Sequence, residues 1–314
     1  HVHSLWDQED IYGAPAVYKA MEPKDAGNSR NYMIIGPWQH GQSNVQNGTK
    51  LGAIDFGSNT SAWYRSEVLI PFFDAHLKDG APKADLAPVT AFETGANVWH
   101  RYDRWPISCA SGCPSRSKPI YLQPDGGLGW SAPAVRAAFA EYVSDPARPV
   151  TYRERPILST YNPNTTWGRW LVDDQRFAEA RPDVVTFVSE VLTEDVRLAG
   201  QPIARVFAST SGTDSDWVVK LIDVYPAEYP AAPEMGGYEL AISMDLLRGR
   251  YRDDPSKPTA IPANKVVPYE IRLPDVSHRF LKGHRIMVQI QSSWFPLYDR
   301  NPQTFVPNIF FAKK

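Results

Sequence analysis

The sequence predicts an α/β segment over residues 1–86, followed by a jelly-roll β-sandwich over residues 87–314, and three observations lead to this division. In the first segment, short apolar runs alternate with stretches of helical period. Beyond residue 87, short strand-like runs are separated by Pro, Gly and Asp turns. The 314 residues include 28 prolines and ten tryptophans, which is typical of loop-rich β structure because proline is excluded from strand interiors.

The α/β segment reads as strand, helix, strand, helix. Residues 2–6 read as the end of a strand, and Pro15 fits the first position of a helix. Residues 32–35 form an apolar run stopped by Gly36-Pro37, the pattern of a strand buried on both faces of a parallel sheet. A second helix is expected over residues 63–77, divided at Pro71 and followed by Gly80 as a stop. The face of the first helix that we expect to be buried consists of Ala16, Val17, Ala20 and Met21.

The second segment is predicted to be all β. Within it, Ile286, Val288 and Ile290 alternate with polar or flexible residues, which predicts one inward face. Tyr269, Ile271 and Leu273 show the same alternation. The Pro-rich stretch 226–237 is expected to be a loop. Seven such runs read as strands, and many short strands with turns between them favour a jelly roll; they are residues 89–93, 120–123, 184–191, 203–209, 217–225, 269–273 and 285–291.

Composition limits the classes of partner. The net charge of −2 offers no basic face for nucleic acid. No apolar run approaches the roughly 18 residues that a membrane span needs, so neither nucleic acid nor a membrane is an expected partner. The chain starts at His1, without Met and within a strand-like segment. We therefore expect that His1 is not the natural start of the polypeptide.

The two cysteines, Cys109 and Cys113, lie in a Cys-Ala-Ser-Gly-Cys loop. A local disulfide is the favoured interpretation, and it would imply an oxidising compartment. Two free thiols remain the alternative. A zinc site would need further ligands, and neither His nor Cys flanks the pair, so no metal is expected there.

Asp7 and His40 each follow a predicted strand, with a helix between the two strands. In open parallel α/β sheets, functional residues gather beyond the carboxyl ends of the strands. An Asp and a later His in these positions match the last two members of a triad whose chain order is Ser, Asp, His. In that interpretation, His40 takes the serine proton, and Asp7 holds the imidazole tautomer and stabilises the imidazolium.

Each of these features also has an ordinary explanation. An Asp after a strand is more often a turn or helix cap, and a lone His in a loop is usually polar surface. Glu9 and Asp10 could simply favour the start of the next helix. Other candidates rank lower: His1 and His3 as a metal site against a plain strand edge, and Asp214 and Asp216 as calcium ligands against an Asx-turn. The remaining histidines are expected to be structural; they are His76, His100, His278 and His284.

Five motifs resemble the α-amino acid ester hydrolases, a group related to cocaine esterase, glutaryl acylases and X-prolyl dipeptidyl peptidases. The resemblance begins in Leu-Trp-Asp-Gln-Glu-Asp at 5–10 and Gly-Pro-Trp-Gln-His at 36–40. It continues through Thr-Asp-Ser-Asp-Trp at 213–217, Gly-His-Arg-Ile at 283–286 and Ser-Ser-Trp-Phe-Pro at 292–296. It therefore covers essentially the whole chain.

The resemblance implies a fold, a site and a setting. Residues 1–86 would be the C-terminal segment of an α/β-hydrolase domain, and residues 87–314 its jelly-roll partner. Asp7 and His40 match the triad, while Glu9 and Asp10 match acidic residues that bind the substrate's α-ammonium group. Substrates would be α-amino acid esters or β-lactam antibiotics with an α-amino acyl group, handled through an acyl-enzyme without metal or cofactor. A periplasmic or secreted homo-oligomer, a tetramer, is also implied.

The sequence departs from that pattern in one respect. The nucleophile elbow reads Gly-x-Ser-x-Gly, and no such pentapeptide occurs here. Ser4 and Ser43 lie too close in sequence to Asp7 and His40 to complete a triad. The serine is therefore expected in a missing N-terminal part, and this chain alone should be inactive. The alternatives are a cocaine-esterase-like or glutaryl-acylase-like hydrolase, or a non-catalytic jelly-roll binding module.

Overall fold

The computed structural model describes residues 1–107, 117–135 and 138–311. Its N-terminal end combines short strands with helices, as the alternating apolar runs predict. The elements up to residue 102 are β1 Val2–Ser4, α1 Gly13–Met21, a 3₁₀ turn Glu22–Lys24, β2 Met33–Gly36, α2 Gln42–Val45, β3 Lys50–Leu51, β4 Ile54–Asp55, α3 Thr60–Tyr64, a π-helical turn Arg65–Leu69, α4 Ile70–Leu77, β5 Val89–Glu93 and β6 Val98–Tyr102.

Four of these strands form one sheet in the order β1-β2-β5-β6. β1 runs parallel to β2, and β2 runs parallel to β5. β6 is antiparallel to β5. The first sheet thus continues past residue 86, because β5 and β6 complete it. Its parallel strands place the carboxyl ends of β1 and β2 side by side.

The buried face of α1 differs from the prediction. Pro15 and Tyr18 are its buried residues, whereas Val17 and Met21 are largely exposed. The helix also begins at Gly13, two residues before Pro15. Tyr18 belongs to the main hydrophobic core, and residues three apart share a helical face. The large aromatic ring therefore determines which face is buried, and the aliphatic pattern does not.

The second helical stretch is interrupted just before Pro71. A π-helical turn occupies Arg65–Leu69, and the backbone N–H of Ile70 donates to the Arg65 carbonyl. Pro71 has no N–H with which to continue the regular ladder, so the division of this helix follows from proline chemistry. Gly80 adopts a left-handed conformation three residues after α4 ends.

The rest of the chain is almost entirely β structure with a few short helical turns. Its elements are β7 Tyr121–Leu122, β8 Gly127–Gly129, β9 Phe139–Glu141, a 3₁₀ turn Trp167–Val172, α5 Arg176–Glu179, β10 Val184–Ser189, β11 Val196–Gly200, β12 Ile203–Thr210, β13 Asp216–Val224, a 3₁₀ turn Pro233–Met235, β14 Glu239–Arg248, a 3₁₀ turn Gly249–Tyr251, β15 Val267–Arg272, β16 Val276–Phe280, β17 Arg285–Gln291 and β18 Pro307–Phe310.

Two sheets of this part pack face to face. One has six strands in the order β14-β13-β17-β10-β8-β7, and the other has four in the order β15-β12-β18-β9. Trp217 of β13 and Tyr269 of β15 meet across the space between them, with ring centroids 5.0 Å apart. Both residues are fully buried in the main core. β11 and β16 form a separate two-stranded sheet.

The alternation predicted for β15 is confirmed, and that for β17 is wrong. In β15, Tyr269 and Ile271 are buried while Glu270 and Arg272 are exposed. In β17, Met287 and Gln289 are as buried as Ile286 and Ile290. β17 lies between β13 and β10, and structure covers both of its faces. A single inward face therefore does not exist there, even though the predicted bounds 285–291 match the strand.

Strand β14 was not among the predicted strands. Its sequence, Glu-Leu-Ala-Ile-Ser-Met-Asp-Leu-Leu-Arg, is buried at each of its first six positions. A strand that is covered on both faces reads as a continuous apolar run, which periodicity alone cannot distinguish from a helix.

Polar contacts tie the first sheet to the β-rich part. Glu93 of β5 is fully buried and pairs with the guanidinium groups of Arg197 and Arg279. Lys19 of α1 pairs with the buried Asp275 at 2.7 Å. The relative position of the two parts is therefore fixed by groups that would be costly to leave unpaired.

Cys109 and Cys113 lie outside the described residues, so their disulfide stays a prediction. Across residues 1–107, 117–135 and 138–311, no group of three or more metal-ligating side chains is brought together. No helix in those same ranges has the length and apolar character to cross a membrane.

Candidate active site

The ends of β1 and β2 bring Asp7 and His40 together. The two segments stay paired beyond the ends of the strands. Leu5 N–H donates to the Gly36 carbonyl at 2.9 Å, and Trp6 N–H donates to the Trp38 carbonyl at 3.1 Å. Asp7 and His40 then project from the same edge of the sheet. This is the arrangement that the strand ends predict.

The imidazole of His40 lies on the carboxylate of Asp7. Its Nδ1 is 3.1 Å from Asp7 Oδ1 and 3.2 Å from Oδ2. Asp7 is only 8% exposed, while the His40 side chain is 42% exposed. The carboxylate is therefore held inside, and the ring presents Nε2 outward, as a general base requires.

Backbone hydrogen bonds fix the orientation of the Asp7 carboxylate. The N–H groups of Glu9 and Asp10 both donate to Asp7 Oδ1 at 2.9 Å. These two donors hold Oδ1 in one position, which leaves the carboxylate aligned with the imidazole. The turn of residues 7–10 therefore serves two purposes, since it holds Asp7 and places two further acidic side chains beside it.

Two glycines permit the path of the chain around His40. A Cβ on Gly36 would collide with the indole ring of Trp38, which folds back over the strand end. Gly41 has φ +71°, a conformation that side chains rarely adopt, so the chain turns sharply after His40. Trp38 is fully buried, and its Nε1 donates to Thr60 Oγ1 at 2.9 Å. The buried Trp38 side chain thus anchors the loop that carries the His40 imidazole.

Glu9 and Asp10 lie at the imidazole and remain open to solvent. Glu9 Oε2 is 4.0 Å from His40 Nε2, and Asp10 Oδ2 is 3.6 Å from His40 Nδ1. Their side chains are 51% and 76% exposed. Burial lowers the pKa of His40, but the charges of Asp7, Glu9 and Asp10 and the hydrogen bond to Asp7 outweigh it and raise the pKa.

The raised pKa predicts a pH dependence. The pKa of His40 lies above its ordinary value of 6.5 because three carboxylates favour the imidazolium. A general base must be neutral, so activity that depends on His40 should rise with pH through this shifted pKa. We expect Asp7→Asn to lower the pKa of His40, as measured by NMR titration of the imidazole in the complete protein. An unchanged pKa of His40 in this variant would contradict the assigned coupling.

Two supporting side chains were not predicted from the sequence. Gln8 Oε1 accepts a hydrogen bond from the backbone N–H of His40 at 3.2 Å. Trp6 Nε1 donates to the carbonyl of Ala241 at 3.1 Å and so ties this edge to β14. Both residues lie inside the Leu-Trp-Asp-Gln-Glu-Asp segment, but only the tertiary structure shows what they contact.

No serine among the described residues hydrogen-bonds His40. Ser43 lies buried in α2, and its hydroxyl is directed to Asn44 Oδ1 at 3.5 Å. Ser4 lies in β1, on the strand that leads to Asp7. Neither residue donates a hydrogen bond to the imidazole of His40 among the described contacts.

The lower-ranked candidates occupy other positions. His3 is fully buried, and neither ring nitrogen has a hydrogen-bond partner in the described part of the chain; burial lowers its pKa to about 4. Asp214 and Asp216 pair with Arg250 at 3.0 Å and Arg248 at 3.5 Å.

The sheets define a mostly β protein with an α/β N-terminal end. Residues 81–311 match the family described as the X-Pro dipeptidyl-peptidase C-terminal non-catalytic domain. The chain belongs to this family. Asp7 and His40 precede the matched range.

Three proteins of similar sequence or structure carry the names of an esterase, an aminopeptidase and an ester hydrolase. Cocaine esterase from Rhodococcus sp. (strain MB1 Bresler) is 31% identical over 285 residues, which covers 90% of this chain and 46% of that protein. The structure of an aminopeptidase from a marine sediment Thaumarchaeota archaeon is 49% identical with TM-score 0.95, covering 99% of this chain and 52% of that one. An α-amino acid ester hydrolase labelled with selenomethionine is also 49% identical, with TM-score 0.93, covering 98% and 52%. The chain thus spans about half the length of these relatives.

Proposed function

We propose that this chain is part of a serine hydrolase and acyltransferase that acts on α-amino acid esters, and that Asp7 and His40 are two members of its triad. The observation that carries this proposal is the buried Asp7 carboxylate, which is held by two backbone N–H groups and receives the imidazole of His40. A solvated surface pair would not need such a fixed acceptor.

In this proposal, a serine from another part of the polypeptide attacks the ester carbonyl. His40 Nε2 takes the serine proton and later returns it to the leaving group, and Asp7 stabilises the imidazolium between these steps. The acyl-enzyme is then resolved by water or by an amine. Acyl transfer to and from β-lactam antibiotics with an α-amino acyl group belongs to the same proposal.

Glu9 and Asp10 are proposed to bind the α-ammonium group of the acyl part. An ammonium that leaves water needs negative partners and several acceptors. The two carboxylates lie at the imidazole, where the reacting carbonyl would be, and are open to an incoming ligand. Their contribution would be to orient the ester for attack.

The ammonium proposal predicts a change in selectivity. In the complete protein, Glu9→Gln with Asp10→Asn should lower the preference for phenylglycine methyl ester over phenylacetate methyl ester by about tenfold, because a hydrogen-bonded charge is lost. The measurement is the ratio of kcat/KM for the two esters. Glu67→Gln, which removes an exposed carboxylate of the same part of the fold, should keep the wild-type ratio. If the double variant kept the wild-type ratio of kcat/KM, the proposed binding of the α-ammonium group by Glu9 and Asp10 would be rejected.

Two related activities are alternatives. A cocaine-esterase-like or glutaryl-acylase-like hydrolase handles acyl groups without a free α-amine, so it should show little preference between these two esters. The likeness to an aminopeptidase at 49% identity favours a second candidate, hydrolysis of an N-terminal amide. Both an ester hydrolase and an aminopeptidase would use Glu9 and Asp10, and comparison of phenylglycine methyl ester with phenylglycine amide separates them.

A non-catalytic binding module is the rival from another class. The test is the intact mass of the complete protein with peptide mapping, followed by labelling with a serine-directed fluorophosphonate. A Gly-x-Ser-x-Gly peptide that carries the label supports the hydrolase. Glycan binding, with no labelled serine on any chain of the preparation, would favour the module.

The remaining assignments are part of the same proposal. We take residues 1–86 as the C-terminal segment of an α/β-hydrolase domain and residues 87–314 as a jelly roll. The sheet of the first segment extends past this boundary, because β5 and β6 complete it. The proposed setting is the periplasm or the outside of the cell, in a homo-oligomer.

A further inference from the structure

A polar cavity of about 430 Å³ lies between Gln39 and the loop of residues 163–169. Gln39 is the chain neighbour of His40, and the backbone of Gly168 lies so close to it that a Cβ on Gly168 would collide with Gln39 Oε1. Arg169, Thr165 and Thr166 also line the cavity. The β-rich part therefore supplies a wall beside the His40 loop.

The hydroxyl groups of this wall are available as donors. Arg153 Nη1 donates to Thr166 Oγ1 at 3.0 Å and to Thr165 Oγ1 at 3.4 Å. Thr165 Oγ1 also accepts from the backbone N–H of Trp167 at 3.3 Å. A hydroxyl has two acceptor lone pairs and one O–H donor. Because the acceptor sites of Thr165 are used, its O–H is the group left for a ligand.

Arg169 lies at the cavity, and Arg153 lies behind its threonine wall. Arg153 is buried, with no carboxylate within ion-pair distance and no partner for its Nε among the described residues. Arg169 is exposed at the cavity and makes no ion pair with any described residue. Burial raises the pKa of the nearby Asp173 to about 6, the two guanidinium groups oppose this rise, and the carboxylates of Glu154 and Asp174 add to it. Arg169 therefore brings a guanidinium group to the cavity, and Arg153 holds the threonine hydroxyls from behind.

We propose that this cavity binds a carboxylate of the substrate. The carboxylate would belong to the leaving group or to the acyl acceptor, on the side of the reacting carbonyl opposite the α-amine. Arginine is suited to planar carboxylate recognition, and hydroxyl donors complete the site. The acidic pair Glu9 and Asp10 lies in the turn after β1, while the cavity adjoins the loop after β2. The two ends of a dipolar substrate would therefore meet charges of opposite sign. This inference rests on the proposed function.

The first test compares two esters of phenylglycine in the complete protein. The carboxymethyl ester carries a carboxylate in its leaving group, and the methyl ester does not. We expect Arg169→Gln to lower the ratio of kcat/KM for carboxymethyl over methyl ester by about tenfold, since a charged hydrogen bond is lost. Arg155→Gln, which replaces an exposed arginine that lines a different pocket, should retain the wild-type ratio. Equal ratios in wild type and Arg169→Gln would overturn the proposal.

The second test does not depend on catalysis. Glycolate, the alcohol that the carboxymethyl ester would release, is titrated calorimetrically into the complete protein. We expect wild type and Arg155→Gln to bind glycolate, Arg169→Gln to bind it about tenfold more weakly, and Thr165→Val to bind it more weakly to a lesser degree. This result supports the subsite even if no ester is hydrolysed. In that case the proposed function fails and the subsite stands. Identical titrations for wild type and Arg169→Gln would reject the subsite, whatever the esterase activity.

Discussion

Replacing His40 with Gln in the complete protein should lower kcat for phenylglycine methyl ester by about 10⁴-fold or more. Gln can hydrogen-bond but cannot take and return a proton at Nε2. The KM should change little, because the imidazole acts mainly in the transition state. The measurement is steady-state hydrolysis over a range of substrate concentrations, with the active sites titrated.

His76→Gln is the matched control, because His76 is an exposed histidine on α4 away from the Asp7 carboxylate. It should keep wild-type kcat. Asp7→Asn should also cause a loss on the order of 10⁴-fold, since the amide would favour the wrong tautomer. Retained turnover in His40→Gln would remove the triad assignment and leave the Asp7–His40 pair as a structural contact.

Replacing Asp223 with Ala should cause the largest loss of stability. His278 Nε2 lies 3.2 Å from Asp223 Oδ2, and His284 Nδ1 lies 2.9 Å from Oδ1. All three side chains are buried, and they join β13, β16 and the residue before β17. Breaking a buried charged pair by removing one partner costs about 3–5 kcal/mol, because the groups left behind stay desolvated.

The measurement for Asp223 is the urea midpoint of the complete protein, followed by circular dichroism of the β structure. Asp85→Ala removes an exposed carboxylate paired with Arg101 and should leave the midpoint unchanged. Burial raises the pKa of Asp223, but hydrogen bonds and charge interactions with His278 and His284 outweigh it and lower the pKa. Its contribution should therefore be present above about pH 4 and disappear as the pH falls through the lowered pKa. A midpoint equal to that of wild type would show that the imidazoles find other partners.

The sequence alone determined the local features. Gly36-Pro37 ended a buried strand, Pro71 divided a helix, and the bounds of β17 could be read from its residues. The pairing of Asp7 with His40 was also predictable, because consecutive parallel strands end at one edge of a sheet. These features depend on backbone chemistry or on chain order, which the sequence contains directly.

The tertiary structure decided which faces are covered and which distant residues meet. In α1, Tyr18 lies on the buried face and the aliphatic Val17 and Met21 do not. Strands β14 and β17 are covered on both faces. Gly168 and Arg169 approach the His40 loop from more than a hundred residues away, with no local signal for that contact. Burial and long-range proximity depend on how the sheets pack against one another, and no period or motif within one segment contains that information.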